Sequence, residues 1–302
     1  MVTRAFCGRG VVLVIGAAML CAGPSLAGRQ DQNVFRVGTD AVRVDVSVRD
    51  GAKVITGLAA KDFDVSDNGV TQTIVDVSYG KLPIDVSVAL DVSLSVTGPL
   101  LDSLRRAILQ LMRDLGPEDR LKLITFNMRV SRPVDFTTDP SQVEQAIRAA
   151  TAGGGTSVWD AIAVALVSNA PPDRRQLVVL FTDGADSASA STPAMLVDVA
   201  QRSNTTVTSV LPAGLVLSRG RGDSQSRYQT LTQIGAETGG TLIPIGTDLT
   251  ATFRRALDEF RSSYVLHFVP HGVEHKGFHV LEVKVKDKPK LQIRARRGYF
   301  AD

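Results

Sequence analysis

Five apolar residues in succession, Leu177-Val178-Val179-Leu180-Phe181, constrain this chain more than any other feature. A strand with one face in water alternates apolar and polar residues, whereas an unbroken apolar run marks a strand covered on both faces. Such strands belong to parallel sheets flanked by helices, so an α/β architecture is expected around residue 180. The neighbouring sequence has the matching rhythm. Ile84-Asp85-Val86-Ser87-Val88-Ala89-Leu90 reads as a strand, and Leu101, Leu104, Ile108, Leu111 and Leu115 fall on one helical face. Gly116-Pro117 would stop that helix as a C-terminal glycine followed by proline does. Further strands are expected at residues 121–126 and 206–211, with helices at 142–150, 158–167, 231–238 and 249–260. Residues 83–261 therefore read as a doubly wound, mostly parallel sheet with helices on both faces. Residues 217–227, rich in Ser, Gly and Arg, read as a surface loop.

The two ends of the chain have another texture. In Val42-Arg43-Val44-Asp45-Val46-Ser47-Val48 the valines recur at every second residue, as in a half-buried antiparallel strand. Asp50-Gly51 and Asp67-Asn68-Gly69 are turn signals, and residues 71–77 are again strand-like. Residues 280–286 and 291–295 repeat the alternation. Each β-rich end is too small for a stable sheet of its own. The expectation is one β-sandwich built from residues 34–82 and 262–302, with the α/β domain inserted between them.

Residues 1–27 have the order of a secretory signal peptide: Arg4 and Arg9, an apolar block over residues 11–22, then the small-x-small site Ser25-Leu26-Ala27 before Gly28. The block is too short to span a bilayer as a mature helix. Removal of Arg4 and Arg9 lowers the net charge of +3 by two, and both cysteines, Cys7 and Cys21, leave with the leader. A secreted or periplasmic protein without disulfides and without a membrane span is the expectation. The near balance of 34 basic and 31 acidic residues argues against nucleic acid as the main partner.

In an open α/β sheet, ligands lie beyond the carboxyl ends of the strands. Three such ends carry oxygen donors: Asp91-Val92-Ser93-Leu94-Ser95, then Thr156 and Asp160 after Gly153-Gly154-Gly155, then Thr182-Asp183-Gly184. No His or Cys accompanies them, and an all-oxygen set suits a hard divalent cation, Mg²⁺ first, with Mn²⁺ or Ca²⁺ compatible. Asp-x-Ser-x-Ser, the Thr of the glycine loop and the Asp of Thr-Asp-Gly together resemble the metal-ion-dependent adhesion site (MIDAS) of von Willebrand factor type A (VWA) domains. The resemblance covers residues 83–261 and implies Asp91, Ser93, Ser95, Thr156 and Asp183 as metal ligands. Leu94 stands where many members have glycine; integrin β-type sites also carry a bulkier residue there. The layout is similar to secreted VWFA-related proteins common in Acidobacteria, a resemblance that supplies no molecular function. If both carboxylates act mainly through water and the hydroxyls supply neutral oxygens, the ion stays electrophilic. An acidic side chain of a protein or peptide partner could then complete its octahedron.

Other signals carry plainer readings. Ser, Thr and Asp are also preferred helix caps, the bland alternative for all five residues. His267, His271, His275 and His279 recur every four residues, but Pro270, Gly272 and Gly277 exclude a helix, which leaves a histidine-bearing hairpin without a native metal. Arg221-Gly222-Asp223-Ser224 contains a tripeptide that integrins recognise, and three residues match by chance often. Trp159, just after the glycine loop, fits helix packing better than a ligand surface. The functional expectation is a metal-dependent adhesion-type binding module and not an enzyme. The alternatives are a hydrolase using the same ion, and a scaffold whose ion only holds the loops. Hydrolysis needs a base near the metal, and no His and no nucleophile elbow occurs in residues 83–261.

Overall fold

The structure, a computed structural model, describes residues 41–167, 171, 173–183, 185–217 and 225–301. The expected leader, residues 34–40 and the Arg221-Gly222-Asp223-Ser224 segment lie outside them. The N-terminal part holds β1 (Val42–Asp50), β2 (Lys53–Val54), β3 (Phe63–Asp67), β4 (Val70–Gln72) and β5 (Ile74–Tyr79). The middle holds β6 (Ile84–Asp91), α1 (Gly98–Asp114), β7 (Arg120–Phe126), β8 (Val130–Thr137), α2 (Pro140–Ala149) and α3 (Val158–Leu166). It continues with β9 (Arg175–Phe181), α4 (Pro193–Arg202), β10 (Thr205–Leu211), α5 (Ala213–Leu217), α6 (Gln225–Thr238), β11 (Leu242–Pro244) and α7 (Leu249–Arg261). The C-terminal part holds β12 (Tyr264–Phe268), β13 (Gly277–Val285), β14 (Gln292–Arg294) and β15 (Gly298–Ala301).

The central sheet runs in the order β11-β10-β9-β6-β7-β8, parallel except for β8 at one edge. Every residue of β6 and β9 is buried, as the apolar run requires. Alternate residues of β9 serve opposite cores. Leu177, Val179 and Phe181 pack with α1, α2 and α7, while Val178 and Leu180 pack with α3, α4 and α6. Each fully buried Val or Leu of this sheet contributes roughly 1.5–3 kcal/mol relative to exposure. Trp159 is a core residue of the second layer.

The strands from the two ends form two further sheets, β14-β1-β12-β5 with β2 on β1, and β15-β13-β3-β4. Val44, Val46 and Val48 of β1 share one apolar core with Phe63, Val65, Leu266, Phe268, Leu281 and Val285. Asn68 and Gly69, with φ of 47° and 82°, make the two-residue turn between β3 and β4.

Four details differ from the sequence reading. Residues 71–77 are not one strand: β4 ends at Gln72, β5 starts at Ile74, and the two belong to different sheets. The helix α1 ends without a left-handed glycine. Leu115 is already extended, and the Gly116 N–H donates to Asp119 Oδ2 at 2.8 Å, so a side-chain carboxylate takes the place of a glycine cap. The histidines form no hairpin, because β12 and β13 lie in separate sheets. His279 is buried against Asp67, 2.8 Å from Oδ1, while His267 faces Asp76. Of the expected 217–227 loop, Leu217 belongs to α5 and residues 225–227 to α6, while residues 218–224 lie outside the described residues.

Arginines join the central sheet to the terminal ones. Arg175 reaches Asp45 of β1, and Arg43 donates to the Arg174 carbonyl at 2.7 Å. Arg296 binds Asn204 Oδ1 and the Gln201 carbonyl beside α4. Burial brings the Arg296 guanidinium down to about 10. At the amino end of β6, Asp85 is sealed from solvent and bound by Arg120 through both oxygens, at 2.9 and 2.7 Å, and by Arg174 at 2.7 Å. Burial alone would raise its carboxyl, but the two guanidinium groups hold it below the usual carboxylate range. Its folded value thus lies below its unfolded value near 4. The stability it contributes is present above pH 4 and is lost as pH falls through the folded value. The urea midpoint is therefore expected to hold from pH 7 to 5 and to fall steadily below pH 4. A midpoint constant down to pH 2.5 would contradict this pairing.

Candidate metal centre

Strands β6 and β9 are parallel neighbours with Leu90 opposite Phe181, so the loops after Asp91 and Phe181 emerge side by side. The glycine loop is tied to the first of them: Gly153 N–H donates to the Val92 carbonyl at 2.9 Å and Leu94 N–H to the Gly154 carbonyl at 3.2 Å. It is tied to the other through Thr156. Its carbonyl accepts from Ser187 N and Ala188 N at 2.9 and 3.0 Å, and its N–H donates to Ser187 Oγ at 3.0 Å. The glycines are required by this lacing. Gly154 has φ +76°, and a Cβ on Gly155 would sit 2.8 Å from Ser187 Oγ.

Asp91 is fully buried. Its Oδ1 accepts the Ser93 N–H and its Oδ2 the Thr182 hydroxyl, each at 2.9 Å. Ser93 Oγ lies 3.0 Å from Ser95 Oγ; Ser93 is buried and Ser95 exposed. Asp183 is half-buried and accepts the Ala185 N–H at 2.9 Å. Burial pushes the Asp91 carboxyl above the usual range, against the Ser93 and Thr182 hydrogen bonds that favour its charged form, and the nearby Asp183 charge adds to the rise. Thr156, buried, meets this group through the backbone bonds of its loop.

The five residues are not the caps of the adjacent helices. The N-caps of α1, α3 and α4 are Thr97, Ser157 and Thr192. The first N–H of α3 goes to a residue that sequence reasoning passed over: Asp186 Oδ1 accepts from Val158 N at 2.8 Å and from the Ser189 hydroxyl at 2.6 Å. Asp160 is likewise occupied, by Ala190 N and Ser191 N at 3.0 and 2.8 Å. The only hint of either role was the density of short polar residues over 186–192.

The donor chemistry fits a hard divalent cation. Among the described residues no three His, Cys, Asp or Glu side chains gather to hold a metal ion; the candidate donors are the carboxylates of Asp91 and Asp183 and the hydroxyls of Ser93, Ser95 and Thr156. The contrast along β6 is informative. It carries one sealed carboxylate at each end, and Asp85 has two guanidinium partners whereas Asp91, among the described residues, has neutral donors only. An unpaired buried charge costs several kcal/mol, which a bound cation would offset.

A doubly wound α/β domain whose three neighbouring strand-end loops carry the candidate oxygen donors is thus the class that the fold defines. The von Willebrand factor type A domain family matches residues 85–252, more than half of the chain, and the protein belongs to that family. The inter-alpha-trypsin inhibitor heavy chain H4 of Bos taurus is 30% identical over 129 residues, 38% of this chain and 14% of that one. This chain thus spans a small part of the relative it matches. Among solved structures, an aerotolerance-related membrane protein from Bacteroides fragilis is 18% identical, with a TM-score of 0.47 over 59% of this chain and 98% of that chain. The proximal thread matrix protein 1 of the mussel byssus, solved with a zinc-occupied MIDAS motif, is 14% identical, with a TM-score of 0.48 over 63% and 48% of the two chains.

Proposed function

We infer that the protein is an extracytoplasmic binding module in which a divalent cation, Mg²⁺ by its oxygen donors, with Mn²⁺ or Ca²⁺ compatible, accepts an acidic side chain of a protein or peptide partner. Asp91, Ser93, Ser95, Thr156 and Asp183 would hold the ion. When bound, it supplies an electrophilic position for a carboxylate oxygen. The observation that carries this reading is the sealed Asp91 carboxylate, without a cationic partner among the described residues, beside two loops that carry the other proposed donors. Binding is favoured over hydrolysis by the placement of the described histidines, which lie on or between β12 and β13 and not at the strand-end loops. The test is affinity capture from envelope extract with the mature chain as bait, in magnesium and in EDTA. Partners are expected in magnesium only; the same proteins recovered equally in both buffers would overturn the reading.

The wider organisation belongs to the same proposal. Residues 34–82 and 262–302 form one β-sandwich with residues 83–261 inserted between its halves, a reading supported by the β1–β12, β1–β14 and β3–β13 pairings. No helix among the described residues is long and apolar enough to cross a membrane. Export rests on the sequence of residues 1–27. Mass spectrometry of the exported chain is expected to find Gly28 as its first residue, and an intact Met1 on the working protein would count against it.

A further inference from the structure

Large apolar side chains exposed one at a time are ordinary on a protein surface. Two of them converge on the metal centre. Leu94, between the two serines, is 69% exposed, and Met128, on the turn between β7 and β8, is 63% exposed. Both address Gly154: the Leu94 N–H bonds its carbonyl, and a Cβ on Gly154 would lie 3.1 Å from Met128 Cγ and 3.2 Å from its Sδ. The bare glycine lets Met128 lie across the loop that carries Thr156. The turn beneath Met128 is fixed, since Asn127 O accepts from Ser157 N at 2.7 Å, Asn127 N donates to Arg129 O at 3.1 Å, and Asn127 Oδ1 accepts from Arg129 N at 3.0 Å. The fixed turn sets where Met128 stands, and its flexible thioether side chain can adapt to an apolar group laid on it.

We propose that Leu94 and Met128 form an apolar rim of the metal centre, and that the partner offers an acidic side chain with a large apolar neighbour that packs on this rim. The proposal rests on the metal-binding reading above. Charge argues for the same occupant. A divalent ion offsets the charges of Asp91 and Asp183, and the next residue on the turn, Arg129, is exposed and makes no ion pair among the described residues. The carboxylates of Asp160 and Asp186, at the start of α3, are held by backbone N–H groups, so the positive contact is the ion itself beside an apolar strip, the complement of an acidic-apolar pair. Desolvated apolar anchors next to a charged contact are where binding energy concentrates.

The probes are two labelled heptapeptides of equal charge, each with one central Glu, flanked by Leu in one and by Ser in the other. In magnesium the Leu-flanked peptide is expected to bind at least about tenfold more tightly in fluorescence polarisation. A Leu94→Ser, Met128→Ser double variant is expected to erase that preference while keeping the magnesium affinity measured by calorimetry. Equal binding of the two peptides, binding of neither, or a preference that survives in the double variant would each overturn the rim while leaving the metal reading intact. A magnesium-dependent dimer in sedimentation that the double variant loses would replace the peptide partner by a second copy of this chain. If calorimetry detects no magnesium binding to the unaltered chain, it is the underlying reading that fails.

Discussion

Replacement of Arg175 by methionine is expected to lower the free energy of unfolding by about 3–5 kcal/mol. Arg175 opens β9, and its side chain is sealed from solvent. Its Nε donates to Asp45 Oδ1 at 2.6 Å, one Nη donates to the Phe260 carbonyl at 2.8 Å and to Ser263 Oγ, and the guanidinium lies 4.0 Å from the Phe260 ring centroid. One group thus joins the central sheet to β1 and to the segment where α7 passes into β12. Methionine fills much of the volume but takes from the Asp45 carboxylate, only 16% exposed, its hydrogen-bonded cation, leaving Arg43 and Arg296 as the nearby charges, and it leaves the Phe260 carbonyl with the Ser263 hydroxyl as its remaining side-chain donor. Part of the loss is therefore the Asp45–Arg175 pair itself, which a double-mutant cycle isolates. An Asp45→Asn, Arg175→Met double variant is expected to lose less stability than the two single variants added together, a non-additivity that urea titration of the single and double variants measures. A single-variant loss below about 1 kcal/mol would mean that the apolar contacts fix the junction and the ion pair does not.

Why this arginine escaped the sequence reading is instructive. Arg174-Arg175 precede an apolar run, as flanking charges often do, and Asp45 lies 130 residues away. Only the fold brings them together. The strands that were legible are those with a simple environment: β6 and β9 are covered on both faces, and β1 on one. Strand β8 was not legible, because an antiparallel edge with Pro133, Arg132 and Asp135 in it has neither the alternation nor the apolar run. The break at Thr73 was hidden for a related reason, since alternation continues across it while the chain changes sheets. The fourfold spacing of the histidines carried no structural meaning, because it runs from one sheet through a connection into another. At the candidate site, motif and position give the strand-end carboxylates and hydroxyls as candidates. The partners that hold them could not be read in that way. Thr182 as a donor to Asp91, and Asp186 as the acceptor at the start of α3, depend on how three loops are laced.

The Asp91→Asn variant is expected to lose magnesium affinity by about 100-fold or more while keeping its fold. Asparagine has the same shape and retains an oxygen that can accept the Ser93 N–H, so the turn after β6 survives. What disappears is the one fully buried negative charge of the centre. In EDTA the unaltered chain carries that charge with neutral donors only among the described residues, and the variant should be as stable or more so, because a buried charge without a counter-ion is unfavourable. In magnesium at about 100 times the dissociation constant the order reverses, since the unaltered chain gains about 2.7 kcal/mol from the bound ion and the variant gains almost nothing. Ser93→Ala and Thr156→Ala remove one neutral oxygen each and should weaken magnesium less than Asp91→Asn does. Calorimetric titration ranks the affinities, and thermal melts in the two buffers test the crossing. A variant that binds magnesium as tightly as the unaltered chain removes Asp91 from the ligand set. A variant that is destabilised equally in EDTA and in magnesium makes Asp91 a structural residue of the loop, whose hydrogen bonds to Ser93 and Thr182 are then its whole role.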